Sequence, residues 1–280
     1  MNVTMKKTAV CLAAAVAAVA AYTAISLFRN TPAATTDMEK SKYRIVAHRG
    51  GAGLGAENTI ECIERGLAAG ADAIEVDVHL TADGEVVVCH DATVDRTTDG
   101  EGRIDEMTLD RIRRLHVTVD GQATGMHLPT LAEVFECVGD RAGLLIEIKR
   151  RKGEYEGIEA KVLELIRRYG AAERVAVQSF NDTVLERMHE LDPSIRLEKL
   201  VVFKLAGLPV IFDGGFSRFD LEKYRYVSSF NFYYRAVPRS LPEQLHRSGR
   251  EVKVWTVEGP EGIAGKPYDG IITNRPDLWR

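Results

Sequence analysis

Cysteine is scarce, with four in 280 residues and no C-x-x-C pair among them. That spacing gives neither a disulfide framework nor a thiolate zinc or redox site; it leaves Cys62, Cys89 and Cys137 as small buried hydrophobes by default, with a single bridge from Cys62 or Cys137 to Cys89 as the alternative in an oxidising compartment. An excess of one charge is missing too. Lys and Arg number 37 against 41 Asp and Glu, a formal net charge of -4. No stripe of basic residues interleaves with aromatics, so a nucleic-acid partner has no electrostatic footing. The G-x-x-x-x-G-K-[ST] spacing does not occur despite the glycines at 50, 51, 53 and 55, which removes the P-loop mode of nucleotide binding. With 45% hydrophobic residues, the chain has the profile of a folded, enzyme-sized domain.

One long apolar run is present, at the N-terminus. Lys6-Lys7 precede an uncharged, Ala-rich run over 8–28, and Arg29 closes it, the layout of an export signal. As a helix the run spans about 31 Å, enough to cross a bilayer uncleaved. Ala18-Val19-Ala20 fits an A-x-A cleavage site and favours a removed signal over a retained anchor. Residues 1–29 are therefore expected to be a signal peptide or membrane anchor, and 30–41, rich in Thr, Ala, Pro and charge, a linker. Residues 42–280 form the folded domain. It is expected on the periplasmic or extracellular side, because the lysines stay cytoplasmic.

From Tyr43 onward apolar runs alternate with helical patterns. The runs predict strands over 44–48, 73–79, 144–149, 175–180, 197–202, 226–231, 252–257 and 270–274. Helical periodicity covers 59–69, 131–138, 158–169, 183–191 and 241–248. Such alternation implies a parallel sheet, and eight units match an α/β (β/α)8 TIM-type barrel of about 250 residues. A further run, 86–90, follows the second strand after only Thr81-Ala82-Asp83-Gly84-Glu85. That is too short for a crossover helix, so the run should return as an antiparallel β-hairpin excursion. With Asp83-Gly84 as a two-residue turn, counting back sets Asp77 opposite His90.

Polar residues inside these apolar runs carry the chemistry. Glu75 and Asp77 are two apart on a strand and share one face, and Glu147 interrupts its run in the same manner. Three carboxylates in strand interiors repel one another unless a cation joins them. All-oxygen ligation selects a hard divalent ion, Mg2+ or Ca2+, over zinc. His48 and His90 end their runs. Phosphodiester hydrolysis needs one proton taken from the nucleophile and another given to a poor alkoxide leaving group, which two histidines beside a metal supply. Arg49 offers a planar fork matched to phosphate oxygens and Lys149 a mobile point charge. Each also has an acid to pair with, Glu57 and Glu147 respectively. Phe180 and Trp255, at the ends of later strands, suit either a substrate-pocket wall or core packing. The Arg150-Arg151-Lys152 run reads as a solvated loop, and His79, His116, His127, His189 and His246 as surface or structural residues.

Taken in order, these residues resemble the glycerophosphodiester phosphodiesterase family of the PLC-like phosphodiesterase superfamily. The resemblance runs through His48-Arg49-Gly50, Glu57-Asn58-Thr59, Glu75-Val76-Asp77-Val78, and Asp83-Gly84 leading to His90-Asp91. It continues through Leu128-Pro129-Thr130-Leu131, Glu147-Ile148-Lys149, Gln178-Ser179-Phe180, Val254-Trp255-Thr256-Val257 and Asp269-Gly270-Ile271-Ile272-Thr273. It implies a TIM-type barrel that uses a divalent cation to hydrolyse glycerophosphodiesters, such as glycerophosphocholine and glycerophosphoethanolamine, to sn-glycerol-3-phosphate and an alcohol. It also implies Glu75, Asp77 and Glu147 as metal ligands, His48 and His90 as the acid/base pair, and Arg49 and Lys149 as phosphate ligands. Three positions depart from the family pattern: Ala56 stands where Pro often precedes Glu-Asn-Thr, Glu258 where Asn commonly follows Trp-Thr-Val, and Asn274 where Asp commonly follows Ile-Ile-Thr. Two other readings keep the fold. One is lysophospholipase D-type hydrolysis of membrane lysophospholipids, suggested by the N-terminal segment; the other is a barrel that binds phosphate esters without catalysis.

Overall fold

The computed structural model describes residues 42–150, 155–202, 221–261, 263 and 265–280. The apolar segment 1–29, the linker 30–41, Arg151 and Lys152 lie outside the described residues. Eleven strands form among those described: β1 (Arg44–Ala47), β2 (Ala73–Leu80), β3 (Val86–Val88), β4 (Thr118–Val119), β5 (Gln122–Ala123), β6 (Gly143–Ile148), β7 (Val175–Ser179), β8 (Arg196–Val201), β9 (Ser229–Tyr233), β10 (Glu251–Trp255) and β11 (Gly270–Thr273). Eight of them, β1, β2 and β6 through β11, are parallel and ordered as in the chain, and β11 pairs back onto β1. This closed ring is the expected (β/α)8 barrel. Six α-helices accompany it among the described residues: α1 (Ile60–Ala68), α2 (Leu109–Ile112), α3 (Leu131–Val138), α4 (Ile158–Arg168), α5 (Asp182–Leu191) and α6 (Leu241–Arg247). Among the described residues no helix is long and apolar enough to cross a membrane.

The strand sequences follow from burial on both faces. In β2 every residue from Ile74 to His79 is buried, and Ile74, Val76 and Val78 alternate with Glu75, Asp77 and His79. Register partners in parallel strands share a face, so Asp77 beside Glu147, Glu147 beside Gln178, and Gln178 beside Glu198 form one continuous polar arc. An apolar layer of Val46, Leu145, Ala176 and Ile272 accompanies it, with Trp255 packed against that layer. Four of the six helix starts carry side-chain caps. Thr59 accepts from Cys62 N at 3.1 Å to open α1. Thr130 and Glu133 form a reciprocal capping box that opens α3.

The structure departs from the sequence pattern in three places. The hairpin turn has three residues, not two: Val78 faces Val88, Thr81 N donates to Glu85 O at 2.9 Å, and Cys89 N donates to Asp77 O at 3.0 Å. Asp77 is thus opposite Cys89, and His90 lies one residue beyond. The cause is Gly84, whose φ of +81° takes the left-handed position of a three-residue loop, while Asp83 turns away to accept from Leu109 N at 3.0 Å. In the second place, β9 begins three residues later than predicted, because Val227 N closes a turn onto Tyr224 O at 2.9 Å. In the third, the connection from β3 to α3 builds α2, β4, β5 and a core of its own, including Val94, Ile104, Met107 and Val117. All three described cysteines are free; Cys62 and Cys89 are buried and Cys137 half-buried.

Candidate active site

Backbone geometry after β1 sets the first corner of the site. Arg49 adopts φ +53°, which turns its N–H onto Glu75 Oε2 at 2.8 Å. Its guanidinium donates to Glu57 Oε1 at 3.0 Å and brings Nε within 3.7 Å of Asp77 Oδ2. Gly50 follows at φ +82°, and a Cβ there would stand 3.0 Å from Ile63, so the chain can pass this tightly only without a side chain. Asn58 donates to Asp77 Oδ2 at 2.9 Å, and Gln178 donates to Glu75 Oε1 at 3.2 Å. Lys149 bridges Glu147 Oε1 at 2.8 Å and Asp77 Oδ1 at 3.1 Å.

Glu75, Asp77 and Glu147 thereby converge, each buried, with one ligand oxygen apiece inside 4.8 Å of the others. Burial and the neighbouring Asp77 charge push the Glu75 carboxyl well above its usual range. Glu147 rises too, through burial and the charges of Asp77 and Glu75, although Lys149 opposes the shift. Burial also works to raise Asp77, but Lys149, His90 and Arg49 outweigh it and hold that group ionised. Asp77 Oδ1 is buried and accepts no hydrogen bond among the described residues; Lys149 neutralises it from off the bonding direction. Three all-oxygen donors, one of them orphaned and two forced toward protonation, fit a hard divalent cation.

The two histidines are held differently. Burial and Arg49 lower the His48 imidazole, while Asp77 acts to raise it; its Nδ1 lies 2.7 Å from Asn274 Oδ1, a neutral amide. Burial and Lys149 lower His90, with Asp77 opposing. Its Nδ1 faces the Asp91 carboxylate at 2.6 Å. Arg96 fixes that carboxylate at 2.6 Å and grips Glu57 through two bonds of 2.7 and 3.0 Å. One ionic chain therefore runs from Arg49 through Glu57, Arg96 and Asp91 to His90. Behind it sits His79, 3% exposed, with Nε2 3.2 Å from His90 O and Nδ1 2.9 Å from the Tyr155 hydroxyl. Burial lowers His79 to about 4, so it stays neutral and ties the His90 loop to β2. The expectation of a structural residue holds, in a more specific place than the sequence suggested.

Phe180 and Trp255 meet edge-on at 5.7 Å at the ends of β7 and β10, and Tyr233 packs against the same indole. The Trp255 indole N–H donates to Asn231 O at 2.9 Å. Deeper in the barrel, Asn231 donates to Gln178 Oε1 and Glu198 Oε2, both at 2.8 Å, and Lys253 donates to Glu198. Glu198, Asn231 and Lys253 were absent from the predicted site. They carry the same signal as Glu75, polar groups inside apolar runs, and they support the site through Gln178. A cavity of about 520 Å³ lies at the other end of the barrel, against Lys42, Arg44, Asp72 and Arg280. It contains none of the acid triad.

Fold and site together define a (β/α)8 barrel with an acidic centre in a cationic frame, toward the strand C-terminal ends where such barrels carry their active sites. The chain belongs to the glycerophosphoryl diester phosphodiesterase family, whose model matches residues 48–278. It is 37% identical over 242 residues to a glycerophosphodiester phosphodiesterase of Caldanaerobacter subterraneus subsp. tengcongensis, covering 84% of this chain and 96% of the relative. A glycerophosphodiester phosphodiesterase of Bacillus subtilis is 33% identical over 255 residues, covering 84% of each chain. Among solved structures, the glycerophosphodiester phosphodiesterase from Agrobacterium tumefaciens superimposes with a TM-score of 0.68 at 28% identity, covering 85% of this chain and 99% of that one.

Proposed function

We propose that this protein hydrolyses glycerophosphodiesters, such as glycerophosphocholine and glycerophosphoethanolamine, to sn-glycerol-3-phosphate and an alcohol, with Mg2+ or Ca2+ as cofactor. The observation that carries this reading is the convergence of Glu75, Asp77 and Glu147 within 4.8 Å, each buried, inside a frame of Arg49, Lys149, His48 and His90. The three acids would hold the cation. When bound, the cation supplies Lewis-acid polarisation of a phosphoryl oxygen. Arg49 and Lys149 bind and orient the phosphate, and their charges favour its anionic form. His48 and His90 divide the proton work: one imidazole accepts the proton of the attacking hydroxyl, and the other donates one to the departing alkoxide. Phe180 and Trp255, in edge-on contact at the ends of β7 and β10, wall the substrate pocket.

Excess chelator is expected to abolish turnover of a soluble glycerophosphodiester, and added Mg2+ or Ca2+ to restore it; full activity in chelator would sink the reading. The same assay carries a lysophospholipid beside its deacylated diester, because the N-terminal apolar run favours a membrane-adjacent substrate as the second reading. Exclusive turnover of the lysolipid would select that one. No turnover of any diester with metal present would leave a phosphate-ester-binding barrel, and wild-type rates in both His48→Ala and His90→Ala would remove the histidines from the mechanism. Export completes the proposal: residues 1–29 direct the domain across the cytoplasmic membrane. Recovery of the protein solely with cytosolic markers on cell fractionation would overturn that part.

A further inference from the structure

The His48 ring is held from behind by a chain of two side chains. Its Nδ1 lies 2.7 Å from Asn274 Oδ1. Asn274, the first residue after β11, donates through Nδ2 to Glu258 Oε1 at 2.6 Å. Hydrogen-bonding capacity fixes every proton in this chain. A carboxylate only accepts, so Glu258 must face the amide NH2; the amide oxygen is then left for His48, and it too only accepts. The proton between His48 and Asn274 therefore belongs to Nδ1.

We infer that Asn274 and Glu258 are positioning residues that lock His48 as its Nδ1–H tautomer, leaving Nε2 as the atom that receives a proton. The inference rests on the acid/base reading of His48 given above. The two side chains form an amide–carboxylate pair across one hydrogen bond. The negative charge therefore stands one link away from His48, with the neutral amide between. The contrast with His90, whose Nδ1 meets Asp91 directly at 2.6 Å, is a contrast between a ring steered by a neutral amide and a ring backed by a full charge. In either proton role Nε2 is the exchanging atom: as base it takes the proton when the nucleophile's O–H bond breaks and its oxygen bonds to phosphorus, and as acid it gives a proton to the alcohol oxygen when the P–O bond to that alcohol breaks.

The lock is read without turnover from the ring-nitrogen NMR shifts of 15N-histidine-labelled, metal-free full-length protein, with His48 assigned by its loss in His48→Gln. A pyrrole-type Nδ1 and a pyridine-type Nε2 are expected, and Asn274→Leu is expected to mix the tautomers. In metal-loaded enzyme Asn274→Leu should lower kcat roughly 10- to 100-fold, the usual loss when an outer partner of a functional histidine goes, with KM little changed. Asn274→Asp alone sets two carboxylates against each other and should also lower kcat. Asn274→Asp combined with Glu258→Asn rebuilds the pair in reverse order and should recover most of the rate. A wild-type ring protonated on Nε2, or a double variant no faster than Asn274→Asp, overturns the inference. Wild-type turnover in His48→Ala would instead overturn the catalytic reading beneath it, and the ring-nitrogen spectrum would still decide whether the lock exists.

Discussion

Glu75, Asp77 and Glu147 are buried carboxyl groups, and their proton balance has a measurable consequence. Without metal, Glu75 and Glu147 keep protons at a pH where a surface glutamate has lost them. A divalent ion must displace those protons to bind. Affinity for Mg2+ or Ca2+ is therefore expected to climb with pH, and calorimetric titration in buffers of different protonation enthalpy should record proton release on binding. Stability carries the same sign. Above the ordinary carboxylate range the metal-free fold binds more protons through these two groups than the unfolded chain does, so their contribution falls as pH rises. Asp77, held low, contributes in the opposite sense and only in the acid range. A metal-free protein that binds metal equally at pH 5.5 and 8 would contradict this account. These acids are legible in the sequence because a charge inside an apolar strand run defies burial habit. Asn274 and Glu258 stand out in the sequence only as departures from the resemblance, and their contact with each other and with His48 is not legible until the fold brings the segments after β10 and β11 together.

At the scale of elements, local chemistry settles where α1, α2, α3 and α5 begin. Thr130→Ala removes the bond from Glu133 N to the Thr130 hydroxyl and leaves the returning bond from Thr130 N to the Glu133 carboxylate. It is expected to lower stability by about 1 kcal/mol, read as a shift in the denaturation midpoint with catalysis little affected; an unchanged midpoint would show the cap to be idle. The sequence pattern recovers Leu131–Val138 without error because the capping box, the apolar periodicity and the Gly at 139 agree. It misplaces the β2–β3 register by one residue because Asp83-Gly84 fits a two-residue turn equally well. Gly84 in its left-handed conformation, together with the bonds that Asp83 accepts from Thr81 Oγ1 and from Leu109 N, the latter 26 positions away, selects the longer loop. His90 consequently owes its place to the His79 and Asp91 contacts and not to strand pairing. The stretch from Val94 to Val117 offers no long periodic pattern, so its small core is invisible before the chain folds.

At the scale of the whole molecule, the alternation of eight strands with helical segments makes the barrel legible, since few architectures accept that pattern. The closure itself is less so. β1 lies against β11 along its full length, from Arg44 beside Gly270 to Ala47 beside Thr273, and Tyr43 meets the Trp279 ring edge-on at 6.4 Å. Removing residues from 269 onward is therefore expected to yield insoluble protein, not a weakened enzyme; a soluble, monomeric truncation with a cooperative melt would show that β11 is dispensable. The reason is kinetic as well as energetic. The partners that complete the ring are separated by almost the whole domain, so the ring cannot be clasped until the final residues have been synthesised. Until that moment β1 and β10 each present a bare strand edge, a template for another copy of the chain. A chain still unclasped is also still threadable, so under the proposed export the ring would clasp only after β11 has crossed the membrane.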